Sequence, residues 1–281
     1  MLGDDKKAKR ERFDLQFQTI QAAMESRIPG DTIFVFPGEY FSPAPLIVNE
    51  IHFVFLGKGA LTGTANEQAL WKVGGHGSIY APGWSFSALN NGMILNVPFG
   101  SEAQFRFQFD RAFATGPDAA FSIGGGRNIV RGNYIESSGT TLYPWGGETS
   151  FELGHVKCSG AGNTDVLEVG NAIVTGHILK AESVNSDGVA FFGGKSVIAI
   201  DEIIAKADAI VHGHPAVADL RIIKAEGGNR AIKGSEGLTV CGGYASGGAI
   251  NFDGSFGLHG TAYDPSKGKP LREWIPGQGY S

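Results

Sequence analysis

A recurrence of short apolar runs that end in glycine limits the fold more than any other feature of the chain. "FVFPG", "FVFLG", "WKVGG", "NVPFG", "FSIGG", "YPWGG", "LEVGN", "AFFGG", "IVHGH", "AIKGS" and "NFDGS" follow one another. Their glycines are Gly38, Gly57, Gly74, Gly100, Gly124, Gly146, Gly170, Gly193, Gly213, Gly234 and Gly254. The mean spacing is about 22 residues, within the range of repeat architectures. Second apolar runs such as "NIVRGNYIESSG", "AIVTGHILKAES" and "AVADLRIIKAEGG" follow the glycines in the better-kept half. One unit is therefore two or three strands, each too short to bury its own apolar face. Stacking the units buries a continuous core. A propeller blade needs about twice this period, and the leucine-asparagine pattern of leucine-rich repeats is absent. The spacing predicts an all-β, single-stranded parallel β-helix of about eleven coils.

Composition agrees. Glycine supplies 43 of 281 residues, about twice the usual ~7%, without the triplet period of collagen. Such a rod has two open ends that need covering. At the N-terminus, "RFDLQFQTIQAAMES" places Phe13, Phe17, Ile20 and Met24 on one face of an amphipathic helix. The C-terminal "YDPSKGKPLREWIPGQGYS" has no repeat, and its Leu271, Trp274 and Ile275 could fold back or meet a partner chain. The organisation expected is a basic segment and capping helix over 1–30, a β-helix over 31–263 and a tail over 264–281, all one domain.

The formal net charge of -5 provides no broad phosphate-neutralising surface, so no nucleic-acid partner is expected. The basic cluster "KKAKRER" reads as a solvated helix start. No apolar stretch approaches the ~18 residues of a membrane span. Met1 is followed by charge rather than a signal-peptide core, which points to cytosolic synthesis unless a leader has been removed. Cys158 and Cys241 fall about four coils apart, too far for a disulfide whose Cα atoms lie within ~7 Å, so both are expected as free thiols. "GGGRN" at Gly124 to Asn128 lacks the strand-then-helix context of a phosphate loop, and no cofactor is implied.

"IQAAMES", then "IPGDTIFVFPGEYFSPAPLIV" and "IHFVFLGKGALTG", carry a resemblance over residues 18 to 63. A helix, a G-D-T-I-x-V-x-P-G-x-Y turn-strand and a strand ending in G-x-G resemble the start of the pectate-lyase-like superfamily of right-handed parallel β-helices. The resemblance implies that fold, with a right-handed coil. It does not choose an activity, because the superfamily holds lyases, hydrolases, esterases and epimerases beside non-catalytic phage tailspikes and surface proteins.

Stacking turns sequence period into spatial rows. Asp165, Asp187 and Asp208 stand five, six and five residues before their glycines, with Asn229 continuing the row and Asp118 two coils earlier. In register, neighbouring carboxylates lie ~5 Å apart, close enough to perturb one another's pKa or share a cation. Paired carboxylates are what glycoside hydrolysis needs, one a protonated acid and the other a base or nucleophile. "NTD" at Asn163 to Asp165, Asp187-Gly188, "HGH" at His212 to His214 and "RIIK" at Arg221 to Lys224 are similar to motifs of the polygalacturonase family. That likeness implies Asp165, Asp187 and Asp208 as acid, base and support, with His212 and Lys224 nearby. The paired aspartate has lost its second member, "HGH" inverts the family's G-H-G, and "RIIK" carries an extra residue. Turn chemistry, which favours Asp and Asn at coil corners, predicts the same row.

A second row runs Asn133, His155, His177, Asp201 and Arg221, in which His155, His177 and Asp201 are candidate metal ligands. An exposed polar sheet face would read identically. Aromatic residues concentrate between residues 71 and 145, with Trp71, Tyr80, Trp84, Tyr143 and Trp145 as a candidate face for a saccharide or a partner subunit. Two function classes follow. One is a non-catalytic structural or recognition β-helix of the virion or phage surface type, assembled as a homo-oligomer or larger particle. The other is a polysaccharide-cleaving enzyme, a glycoside hydrolase rather than a lyase. The altered motifs and the absence of disulfides point to the first.

Overall fold

In the computed structural model, residues 17–160, 164–247, 250–253, 257–259 and 262–263 are described. They form a parallel β-solenoid of about ten turns. The coil of residues 127–144 shows how one turn is built. Its long strand Arg127–Ser137 buries Asn128 and Val130, then Ile135 and Ser137. The alternation breaks between Val130 and Ile135, so the strand bends there into two limbs with a corner at Asn133. The short strand Leu142–Pro144 forms a third side, burying Leu142 and Pro144. Every coil thus has three sides around one apolar interior.

Coils stack in strict register. Glu148–Cys158 pairs with Ile173–Ser183 from Glu148↔Ile173 to Cys158↔Ser183, missing only the corner residue. Eleven strands follow one another along the long-strand sheet, from Thr32–Val35 to Gly257–His259, and ten along the short-strand sheet. In the first two coils the limbs are separate strands, Thr32–Val35 and Glu39–Ser42, then Ile51–Phe55 and Gly59–Gly63. They fuse in Gly77–Ala88, where the register slips between Ala81 and Ser85 around Pro82 and Gly83.

The expected eleven coils become ten because glycine marks two different corners. Gly57 follows the first limb of the second coil, whereas Gly74 follows the short strand of that same coil. Counting both adds a turn. The glycine that the geometry demands is a neighbour of the counted one. Gly126, Gly147 and Gly194, at φ 74°, 70° and 65°, each stand one residue before a long strand. A Cβ there would press on a carbonyl oxygen of the preceding coil, so glycine at these three positions lets the turn settle on Ala103, Gly126 or Ala172 of that coil.

The N-terminal helix is Ile20–Glu25, capped by Thr19, whose Oγ1 accepts from the Ala22 N–H at 3.1 Å. Ile20 and Met24 are buried and join the core, covering the first coil as expected. Phe13, the basic segment and residues 264–281 lie outside the described residues.

Aromatic rings fill the core of the early coils. Trp71 packs edge-on to Phe53 at 5.0 Å, and Trp84 to Phe55 at 4.8 Å. Both tryptophans are fully buried, which removes Trp71 and Trp84 from the expected outer face. Their rings have the volume that a wide early coil needs, and inward positions on a strand fall to them by alternation. Gly59 makes room for Trp84: a Cβ there would come within 2.5 Å of the indole. Later coils fill the same interior with Ile, Val and Ala, and Cys158 and Cys241 are free.

Trp84→Ala is expected to destabilise the protein by roughly 3–5 kcal/mol, read from the denaturation midpoint at unchanged denaturant slope. A loss under about 1 kcal/mol would mean that the early coils collapse around the gap.

Candidate functional site

The aspartate row exists. Asp165, Asp187 and Asp208 each stand two residues before the stacked Leu167, Val189 and Ile210, at the corner between second limb and short strand. Backbone bonds hold the corner together: the Gly188 N–H donates to the Asp208 carbonyl at 2.8 Å, and the Thr141 N–H to the Asp165 carbonyl at 2.9 Å. The next member of the row is Arg230, paired with Asp208, not Asn229.

Stacking like charges is costly, and each aspartate escapes it differently. Arg230 grips Asp208 with two parallel bonds, Nε to Oδ1 at 2.8 Å and Nη2 to Oδ2 at 2.5 Å. The Asp208 side chain is 5% exposed, so its charge is spent inside this fork. Asp187 Oδ1 accepts from the Asp208 N–H at 2.8 Å. Asp165 has no side-chain hydrogen bond among the described residues. Burial, then the charges of Glu168 and Asp187, push its pKa up to about 7. Asp165 is therefore largely protonated below neutrality, one rung from a second carboxyl group.

His212 and Lys224 are not at this corner. His212 ends the short strand Asp208–His212, four residues and ~13 Å beyond Asp208. Its Nδ1 meets Ser235 Oγ at 2.8 Å, its Nε2 is buried without a hydrogen-bond partner among the described residues, and burial pushes its pKa down. Lys224 lies on the second limb, 3.0 Å from Glu226 and 3.5 Å from Glu202. The three-sided coil puts these residues on different sides, which motif likeness along the chain could not reveal.

The expected histidine row also separates. His155 aligns with Tyr134 and Lys180, whereas His177 aligns with Glu152 and Ala199 on the other limb. The difference in loop length shifts them by three positions across the corner. His177 Nε2 meets Asp201 Oδ1 at 2.8 Å, and His155 Nε2 meets Glu182 Oε2 at 3.0 Å. No group of three or more His, Cys, Asp and Glu that could hold a metal ion occurs among the described residues. His155, His177 and Asp201 thus do not form one metal site.

His155 belongs instead to a lattice on the second limb. Tyr134 donates to Glu136 Oε2 at 2.7 Å, Lys157 to Glu136 Oε1 at 2.9 Å, and Lys180 to Glu182 Oε2 at 2.8 Å. Burial and Glu136 push the Tyr134 pKa up to about 12. Burial alone would raise Glu136, but the bonds from Lys157 and Tyr134 outweigh it and hold its carboxyl low. Acids and bases here satisfy one another, as cross-strand pairs on a sheet face do.

Tyr143 and Trp145 remain on the outside, on the short-strand side. Their rings lie 6.3 Å apart and 12° from parallel. Phe99, 71% exposed, extends them: it stacks on Trp145 at 5.0 Å and 16°. The indole reaches back across Gly124, where a Cβ would come within 2.9 Å of Cζ2, and Nε1 donates to Ser122 Oγ at 3.3 Å. Glycine at 124 is what lets the ring lie there. Glu168 stands beside Tyr143, and burial pushes the pKa of both up. Tyr80 is exposed but aligns with Val54 and Gln108 on the first limb, a different side. Phe99 was missed because it follows the strand; its place between Pro98 and Gly100 was the available cue to a turn.

Asp165→Asn tests the corner through pH. The folded pKa of about 7 exceeds the ordinary value of 3.8, so folding takes up a proton between them. The stability of the protonated form is fully present below about pH 4 and is lost as pH rises through about 7. The neutral amide escapes this loss. Relative to wild type, Asp165→Asn is expected to gain stability between pH 4 and pH 8, by about 4 kcal/mol at most, in urea unfolding at both values. A difference independent of pH would place no buried charge at the corner.

No family model, curated protein or solved structure matches the chain.

Proposed function

We propose that this chain is a non-catalytic recognition solenoid, of the kind displayed on a virion or other particle surface, and that it binds a saccharide on the Phe99–Trp145–Tyr143 ledge. The observation that carries the reading is that ledge: three neighbouring rings held near parallel, with an exposed phenyl at one end. An aromatic plane takes the apolar face of a sugar ring, and a few polar groups fix its orientation. Asn96 and Ser122 lie in register with Tyr143, and Glu168 stands beside it. The catalytic set implied by motif likeness does not assemble, since Arg230 holds Asp208, His212 lies at the far end of the short strand and Lys224 is engaged on the second limb.

Asp165 favours a second reading, a glycoside hydrolase. A protonated carboxyl one rung from Asp187 resembles an acid and base pair, and the ~4.8 Å rung is near the ~5–5.5 Å separation of retaining enzymes.

Oligosaccharide binding by calorimetry, with an assay for new reducing ends, separates the two. Trp145→Ala is expected to weaken binding at least tenfold while the protein stays folded, with no cleavage by wild type. Cleavage that disappears in Asp187→Asn would establish the hydrolase. Binding that survives Trp145→Ala, or a ledge that takes only a protein subunit, would remove the saccharide reading.

A further inference from the structure

We propose that the first-limb side carries a second site, a groove for a linear polyanion held by Arg106. One row of side chains forms its length. His52, Ser78, Arg106, Ile129, Ser150 and Thr175 stand in successive coils, each paired with the next. Five steps at ~4.8 Å make a track of ~24 Å, long enough for an extended chain. Ser78, Ser150 and Thr175 line it with hydroxyl groups, and the groove holds about 680 Å³, the size of a ligand site.

Its charge decides what it takes. Arg127 borders the track and is held by Glu148, Nε to Oε2 at 3.2 Å. Among the described residues, Glu148 is the only acid lining the groove. Arg106 has no ion-pair partner among the described residues, so its guanidinium leaves the groove one net positive charge. His76 adds a donor: its Nδ1 accepts from the Gln104 N–H at 3.0 Å, so a neutral ring carries its proton on Nε2. Two residues along the same coil, Ser78 Oγ meets His52 Nδ1 at 2.8 Å. A cation with a planar fork, flanked by imidazole and hydroxyl groups, matches a carboxylate or sulfate. Ile129, next to Arg106 in the row, offers an apolar seat for the carbon skeleton between charged groups. A nucleic acid fits poorly: it needs several phosphates neutralised side by side, and the groove offers one net positive charge.

The groove and the ledge lie on different sides of the coil, so neither proposal rests on the other. Binding of dextran sulfate, carboxymethyl dextran and uncharged dextran of equal length, measured by calorimetry, tests the groove. Both charged polymers are expected to bind and the uncharged one not, with affinity falling as salt rises. The tighter of the two charged polymers identifies the anion. Arg106→Gln is expected to weaken binding at least tenfold with unchanged thermal unfolding, because the side chain is exposed and unpaired. Trp145→Ala is expected to leave polyanion binding as in wild type. Equal binding by Arg106→Gln, equal binding of uncharged dextran, or no binding of either polyanion to folded protein would overturn the assignment.

Discussion

Parallel pairing between successive coils is the constraint on which the rest depends. Each coil donates and accepts along its whole length to the next, so residues at equal positions must stack one rung apart. Alternation sends every second residue inward, and the interior becomes a column of rings and then aliphatic side chains. The same rule acts on polar residues with less comfort. Where successive coils select aspartate for the same turn, as at Asp165, Asp187 and Asp208, the charge repeats at ~5 Å.

The chain resolves these repeats locally. At the corner, Asp208 gains Arg230, Asp187 gains a backbone N–H, and Asp165 keeps its proton. On the second limb, Glu136, Lys157, Glu182 and Lys180 alternate well enough to neutralise one another. On the first limb the ladder is incomplete: Arg127 finds Glu148, and Arg106 finds no acid among the described residues. An unpaired guanidinium beside the apolar Ile129 is a place where an outside anion gains a partner. The ledge is the apolar counterpart, since Phe99 is exposed although the interior accepts many phenyl rings.

How much was legible depended on whether a signal carried its phase. The aspartate row was readable because each member precedes its inward Leu167, Val189 or Ile210 by the same two residues, so turn and strand stay locked together. The histidine row was not, because His155 and His177 lie on either side of a corner whose position no residue type marks. Trp84 misled for a similar reason. Trp71 shares the inward phase of Ala69 and Val73, whereas only the bend at Ala81 to Ser85 and the gap at Gly59 turn Trp84 inward.

By itself, the sequence determined the solenoid, its capping helix, its free cysteines and the aspartate row, because period, amphipathic spacing and turn preference are local properties that stacking merely repeats. The tertiary structure decided the number of coils, which aromatic rings face out, and which charges meet. Those depend on where each coil bends and on the side chain one rung away, some twenty residues distant in the chain and in contact only once the coils are stacked.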